Sequence, residues 1–249
     1  MAQIEYKDIT KTYGDEKVLD HVSFDIEKGE FVFIVGPSGA GKTTLVRLLI
    51  REQDPTEGAI YFSELELPVT DEEVTSISDE TGESEMVNIF DLTEDQLPEL
   101  RRKIGVVFQD FKVLRSKNVF ENVAVALEVV DAPKNTIRDV VMNVLGLVGL
   151  SDEKDKFPKQ LSGGEIQRLS IARAMAHEPD VLVADEPTGM IDPKATDEVL
   201  KVLEKVNSLG TTIIMATHNQ DIVDRMKKRV IRIEEGKIKS DKKGGKYHD

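Results

Sequence analysis

No cysteine occurs anywhere in the sequence, so neither a disulfide nor a thiolate metal site can contribute to its fold or chemistry. Also absent is any apolar run approaching the roughly 18–20 residues needed to span a bilayer. The opening MAQIEYKDITKTYGDEK lacks the charged-then-apolar pattern of a secretion signal. Positive charge is in deficit as well: acidic residues outnumber basic ones 47 to 33, for a net charge of −14. A nucleic-acid binder carries a basic footprint, and an anionic membrane surface attracts one, so neither is expected as a direct partner. Together these absences point to a soluble chain in a reducing compartment, the cytoplasm being the expected one.

What is present suffices for one large domain, since 249 residues of which 39% are hydrophobic can bury a substantial core. Apolar residues alternate with polar ones at Ile4 and Tyr6 and again at Val22, Phe24 and Ile26, which predicts an antiparallel strand pair with one buried face. The run FVFIV (31–35) is continuously apolar, the pattern of a strand buried on both faces, and IGVVF (104–108), VLVAD (181–185) and TIIMAT (212–217) repeat that pattern. Helical periodicity lies between them, so the core is expected to be α/β with a mainly parallel sheet. Residues 110–161 read as an inserted helical subdomain, NVFENVAVALEVV and IRDVVMNVLGLVGL being joined at Pro133. Residues 64–90 carry Glu64, Glu66, Asp71, Glu72, Glu73, Asp79, Glu80, Glu83 and Glu85 with no lysine or arginine, and read as an acidic, solvated insertion. The main domain is thus expected over 1–235, followed over 236–249 by a lysine-rich, flexible tail.

Two glycine-rich stretches carry the chemistry. GPSGAGKT (36–43) follows a predicted strand and opens a helix, matching G-x-x-x-x-G-K-[ST]. In such a loop the backbone at Gly36, Ser38, Gly39, Ala40 and Gly41 wraps phosphates. Lys42 supplies charge at the β/γ end, Thr43 a hydroxyl for Mg²⁺, and Thr44 reaches an earlier phosphate. VLVADEP ends a buried strand on Asp185, suited to the Mg²⁺ shell, with Glu186 next to it to polarise a water aimed at the γ-phosphate. The second glycine stretch, QLSGGEIQR (160–168), again sets small residues at a helix start, but without a lysine. It has the form of half a phosphate site.

The order of these motifs, with Gln109 after a strand and His218 after another, resembles the ATP-binding cassette (ABC) ATPases over essentially the whole chain. That resemblance implies a P-loop NTPase fold with an antiparallel β subdomain, a mainly parallel core sheet and a helical subdomain. It also implies a homodimer on ATP binding. Ser162, Gly163 and Gly164 of one copy would then close over ATP and Mg²⁺ held by the P-loop of the other, which accounts for the missing lysine. By the same resemblance Tyr13 stacks on adenine, Gln109 senses Mg²⁺ and water, His218 contacts the γ-phosphate and Asp192 lines the dimer seam. Met190 and Ile191 depart from the residues usual at that seam.

LSGGEIQRLSIARAMAHEPDVLVADEPTG resembles the branch of the family that includes lipoprotein-release, macrolide-export and cell-division ATPases, the last most closely. The implied partner is a four-span integral membrane protein, docking near Gln109 and the helical subdomain and holding the chain at the cytoplasmic face of the membrane. Lipoprotein or macrolide export is the alternative implied role. ABC ATPases of DNA repair split the cassette with long coiled coils, and translation-associated ones carry two cassettes; neither feature is present. Lys42, Asp185, Glu186 and His218 together imply hydrolysis and not binding alone.

Overall fold

β1 (Ala2–Tyr13) and β2 (Glu16–Glu27) form a long antiparallel hairpin. Ile4 and Tyr6 are buried, and then the buried parity changes to Ile9. The change coincides with a register shift between Tyr6 and Ile9, where Asp8 has φ 56°; such a bulge keeps the apolar side chains on one face. Tyr6 stacks on its cross-strand partner Phe24 with ring centroids 4.3 Å apart.

The computed structural model describes residues 2–65, 67, 76–78 and 85–248. The chain forms two units, Met1–Arg102 with Ile214–Asp249, and Lys103–Ile213. In the first unit β3 (Phe31–Val35) is buried at every residue and runs into the glycine loop and α1 (Lys42–Leu49). β4 (Glu57–Ser63) pairs with β1, and β5 (Ser76–Ser78) and β6 (Glu85–Asn88) complete a five-stranded sheet in the order β2-β1-β4-β6-β5. The acidic stretch expected to be a solvated loop therefore contributes two antiparallel strands, while its residues 66, 68–75 and 79–84 lie outside the described residues. α2 (Leu97–Lys103) closes this part of the chain.

In the second unit β7 (Ile104–Val107) lies parallel to β8 (Val181–Asp185). Between them come α3 (Val119–Glu128), α4 (Lys134–Val148) and α5 (Gly163–Ala174), which pack on one another. Asn118 and Glu121 form a capping box that starts α3, and Gly149 ends α4 in the left-handed conformation. α6 (Pro193–Ser208) follows β8 and packs on α5.

β9 (Thr212–Thr217) carries the chain back into the first unit, where α7 (Gln220–Met226) leads to β10 (Arg229–Glu234), parallel to β3. The C-terminal residues are not the flexible tail expected from their lysines. They form β11 (Lys237–Lys242), antiparallel to β10. The cause is buried charge: Arg229, 9% exposed, donates to both carboxylate oxygens of Asp241 at 2.7 and 2.6 Å and to Glu30 at 2.9 Å. Further on, the Tyr247 N–H donates to Asp224 on α7 at 2.8 Å. The architecture is α/β, with an antiparallel β subdomain, mainly parallel central strands and a helical subdomain. Among the described residues no helix is long and apolar enough to cross a membrane.

Candidate nucleotide site

The glycine loop of the first unit is shaped by two close approaches. Gly36 leaves β3 at φ 154°, and a Cβ there would fall 2.1 Å from the Ile233 carbonyl oxygen of β10. Gly41 caps α1 at φ 100°, and a Cβ there would fall 2.5 Å from Leu19 Cδ2. Only glycine fits both positions, so the loop folds back tightly over the start of α1. That helix has no side-chain cap and no acidic residue in its first turn, which suits its amide N–H groups and dipole to an anion. Lys42, 7% exposed, turns its ammonium into the loop, donating to the carbonyls of Gly36 at 2.8 Å and Pro37 at 3.0 Å. Ser38, Gly39 and Thr43 are exposed, Thr44 is half-buried and Ala40 is buried.

Also in the first unit, Tyr13 is 43% exposed yet held from two sides. Its hydroxyl donates to Gln53, and the Lys11 ammonium stands 5.1 Å from its ring centroid, itself fixed by a 2.6 Å bond to the Asp54 carbonyl. The ring can thus offer a face to an aromatic base. Neither Lys11 nor Gln53 is marked by the sequence, because the pairing of Tyr13 with Gln53 spans 40 positions. His218 is exposed at the end of β9, where Asn219 caps α7 through Ile222 N–H at 3.2 Å.

The second unit holds Gln109, Asp185, Glu186 and Ser162–Gly164. Asp185 ends β8 at 8% exposure. Glu186 follows at φ 49° and precedes Pro187. Left-handed backbone at a side chain with a Cβ is disfavoured by about 1–2 kcal/mol, so the turn is maintained by its surroundings, and such residues concentrate at functional sites. Its carbonyl accepts from Gly189 N–H at 3.2 Å. A Cβ on Gly189 would meet Gln109 Nε2 at 3.4 Å, so Gln109 stands against the turn that Glu186 begins.

Ser162 starts α5 through a capping box. Its hydroxyl donates to Glu165 Oε2 at 2.7 Å, its N–H to the same oxygen at 2.7 Å, and the Glu165 N–H returns to the hydroxyl at 3.3 Å. The Ser162 N–H, then its hydroxyl, hold the Glu165 carboxyl below its ordinary pKa. The S-x-x-E spacing made this cap readable in the sequence, although it was not read there. Gly164 is packed against α6, where a Cβ would fall 2.5 Å from Ala195 Cβ. A Cβ on Gly163 would meet Ile191 Cγ2 at 3.4 Å. Asp192 is the N-cap of α6, accepting from the Lys194 and Ala195 N–H groups at 3.0 and 3.1 Å. Met190 beside it is 58% exposed.

A protein-family profile described as ABC transporter matches residues 19–189. The chain belongs to the ABC transporter family. This ABC-type ATPase is 47% identical to the cell division ATP-binding protein FtsE of Bacillus subtilis over 245 residues, 98% of each chain. It is 42% identical to the FtsE of Streptococcus pneumoniae D39 over 248 residues, 99% of this chain and 98% of that one. Among solved structures, the dimeric bacterial ABC transporter cassette MJ0796 superposes with a TM-score of 0.78 at 32% identity, covering 97% of this chain and 99% of the other. ABC cassettes bind ATP, and the loop around Gly36, Gly41 and Lys42 sets helix-start amides beside an ammonium, groups suited to an anion.

Proposed function

We propose that this ABC ATPase is the ATP-hydrolysing subunit of an FtsE-type cell-division complex, working as an ATP-bound homodimer on an FtsX-like integral membrane protein. The observation that carries this reading is the 47% identity to FtsE along 98% of both chains. The dimeric state of the related cassette MJ0796 supports pairing of two copies, and the lysine-free phosphate half-site at Ser162–Gly164 supports a head-to-tail arrangement. Closure of the two copies transmits motion through the region around Gln109 and the helical subdomain to the membrane partner. That partner in turn controls peptidoglycan hydrolases outside the cell. Membrane association at the cytoplasmic face is indirect, through the partner.

The roles follow from residue chemistry. Tyr13 stacks on adenine. The amides from Gly36 to Thr44 and the Lys42 ammonium bind the phosphates, with Lys42 exchanging loop carbonyls for phosphate oxygens. Thr43, Asp185 and Gln109 offer a hydroxyl, a carboxylate and an amide oxygen, a hard-oxygen donor set suited to Mg²⁺. When bound, Mg²⁺ neutralises charge on the β- and γ-phosphate oxygens. Glu186 accepts a hydrogen bond from the attacking water and orients it, and His218 donates to the γ-phosphate. Ser162 turns its hydroxyl from Glu165 to the γ-phosphate of the other copy, joined there by the N–H groups of Gly163 and Gly164.

The test is a pull-down of tagged Glu186→Gln protein from host membranes in the presence of ATP. Recovery of a four-span membrane protein with a large extracellular loop is the expected result. Recovery of a solute permease with an export partner would replace the cell-division role by transport.

A further inference from the structure

Immediately after Gln109 the chain makes a turn that its residue types do not favour. Phe111 has φ 59° and Lys112 φ 50°, the only consecutive non-glycine residues with positive φ among the described residues. The turn is tight, with Phe111 N–H donating to the Phe108 carbonyl at 3.3 Å and Lys112 N–H to the Asp110 carbonyl at 2.6 Å. Side chains carrying a Cβ do not hold such a turn unaided. Two side chains of α5 hold it. The Ser170 hydroxyl donates to the Phe111 carbonyl at 2.5 Å, and Arg173 Nη1 donates to the Lys112 carbonyl at 2.5 Å. Ser170 is buried, and burial lowers the Arg173 pKa from its ordinary value. They stand three residues apart, on one face of the helix.

We propose that Ser170 and Arg173 are positioning residues for Gln109, clamping the left-handed turn that presents it. Both belong to the helix opened by Ser162, Gly163 and Gly164, about three turns long. A displacement of the phosphate-facing end of α5 is therefore passed to the Phe111 and Lys112 carbonyls at its other end, and from there to Gln109. Use of non-glycine residues in the turn matters to this device: their conformation depends on the clamp, whereas glycine would take it without one. The inference rests on the reading that Gln109 serves hydrolysis.

Steady-state ATP hydrolysis by the full chain tests it. Ser170→Ala is expected to lower kcat about tenfold with KM for ATP unchanged, because the glycine loop is untouched. Adding Lys112→Gly is expected to restore at least threefold, since glycine accepts φ 50° without a holder. A loss that glycine does not repair would make Ser170 merely structural and overturn the proposal, as would wild-type kcat in Ser170→Ala. Should that variant fail to fold, Arg173→Met carries the same expectation of loss and glycine repair. Gln109→Ala is assayed alongside: full activity there overturns the role of Gln109, whereas its loss beside an intact Ser170→Ala overturns only the clamp.

Discussion

Lys42 shows what a single side chain contributes to the site. A primary ammonium buried in a loop must keep its hydrogen bonds, and the carbonyls of Gly36 and Pro37 provide them at 2.8 and 3.0 Å. On the proposed reading, phosphate oxygens replace those carbonyls with charge-assisted bonds that strengthen as negative charge shifts during phosphoryl transfer. Lys42→Ala is accordingly expected to raise KM for ATP and to lower kcat by roughly 100-fold or more, measured by steady-state hydrolysis; unchanged turnover would refute the assignment. At this scale the sequence was legible wherever the requirement is local. Gly36, Gly41 and Lys42 lie within six positions, and their spacing follows from one loop's backbone. Ser170 and Arg173 were illegible, because their contacts cross 59 and 61 positions and a serine and an arginine on a helix carry no local mark. Asp192 was read only as a seam residue, though its place just before Pro193 also announces the helix cap it proves to be.

The C-terminal hairpin shows where reading of whole elements failed. β10 and β11 are joined by Glu235 and Gly236, with φ 50° and 72°, the two positive values of a type I′ turn. Asn-Gly or Asp-Gly would have announced that turn; Glu-Gly does not, and five lysines after it suggested a solvated tail. Asp241, which has no local mark in that lysine-rich stretch, is the partner that orders the strand. Asp241→Ala removes two of the bonds that satisfy the buried Arg229, and should cost about 2–3 kcal/mol of stability, read from denaturant unfolding.

A second tie joins the same hairpin to β2. Asp20 bonds Lys17 at 2.8 Å and Lys237 at 3.0 Å, and its bonds to these lysines, Lys17 first, hold its pKa down at about 2. A carboxyl depressed in the folded state stabilises fully above its unfolded pKa near 4 and loses that effect as pH falls through about 2. The difference in thermal midpoint between wild type and Asp20→Asn should hold steady from pH 7 to 5 and shrink below pH 4. A difference that grew on acidification would contradict the tie.

For the molecule as a whole, the chain carries a glycine loop with Lys42 in one unit and a lysine-free glycine pair at a helix start, after Ser162, in the other. On the proposed reading a second copy reconciles the two: each ATP would meet the Lys42 loop of one chain and Ser162–Gly164 of the other, and nucleotide would become part of the dimer interface. Association would then be linked to ATP by mass action, and hydrolysis would release it. The α/β order, the motif sequence and the family were all legible at this scale, since buried strands and glycine loops repeat along the chain with little ambiguity. The two strands within the acidic stretch were not, because short strands with few apolar residues have no readable alternation.

The most direct measurement is the mass in solution of purified Glu186→Gln protein, by light scattering after size exclusion, with and without saturating ATP and Mg²⁺. On the proposed role of Glu186, this replacement is expected to leave nucleotide binding intact while stopping turnover. A shift from one chain to two with ATP, absent when Ser162→Ala and Gly163→Ala are added, is the expected result. A monomer at saturating ATP, with ATP demonstrably bound, would contradict the shared site.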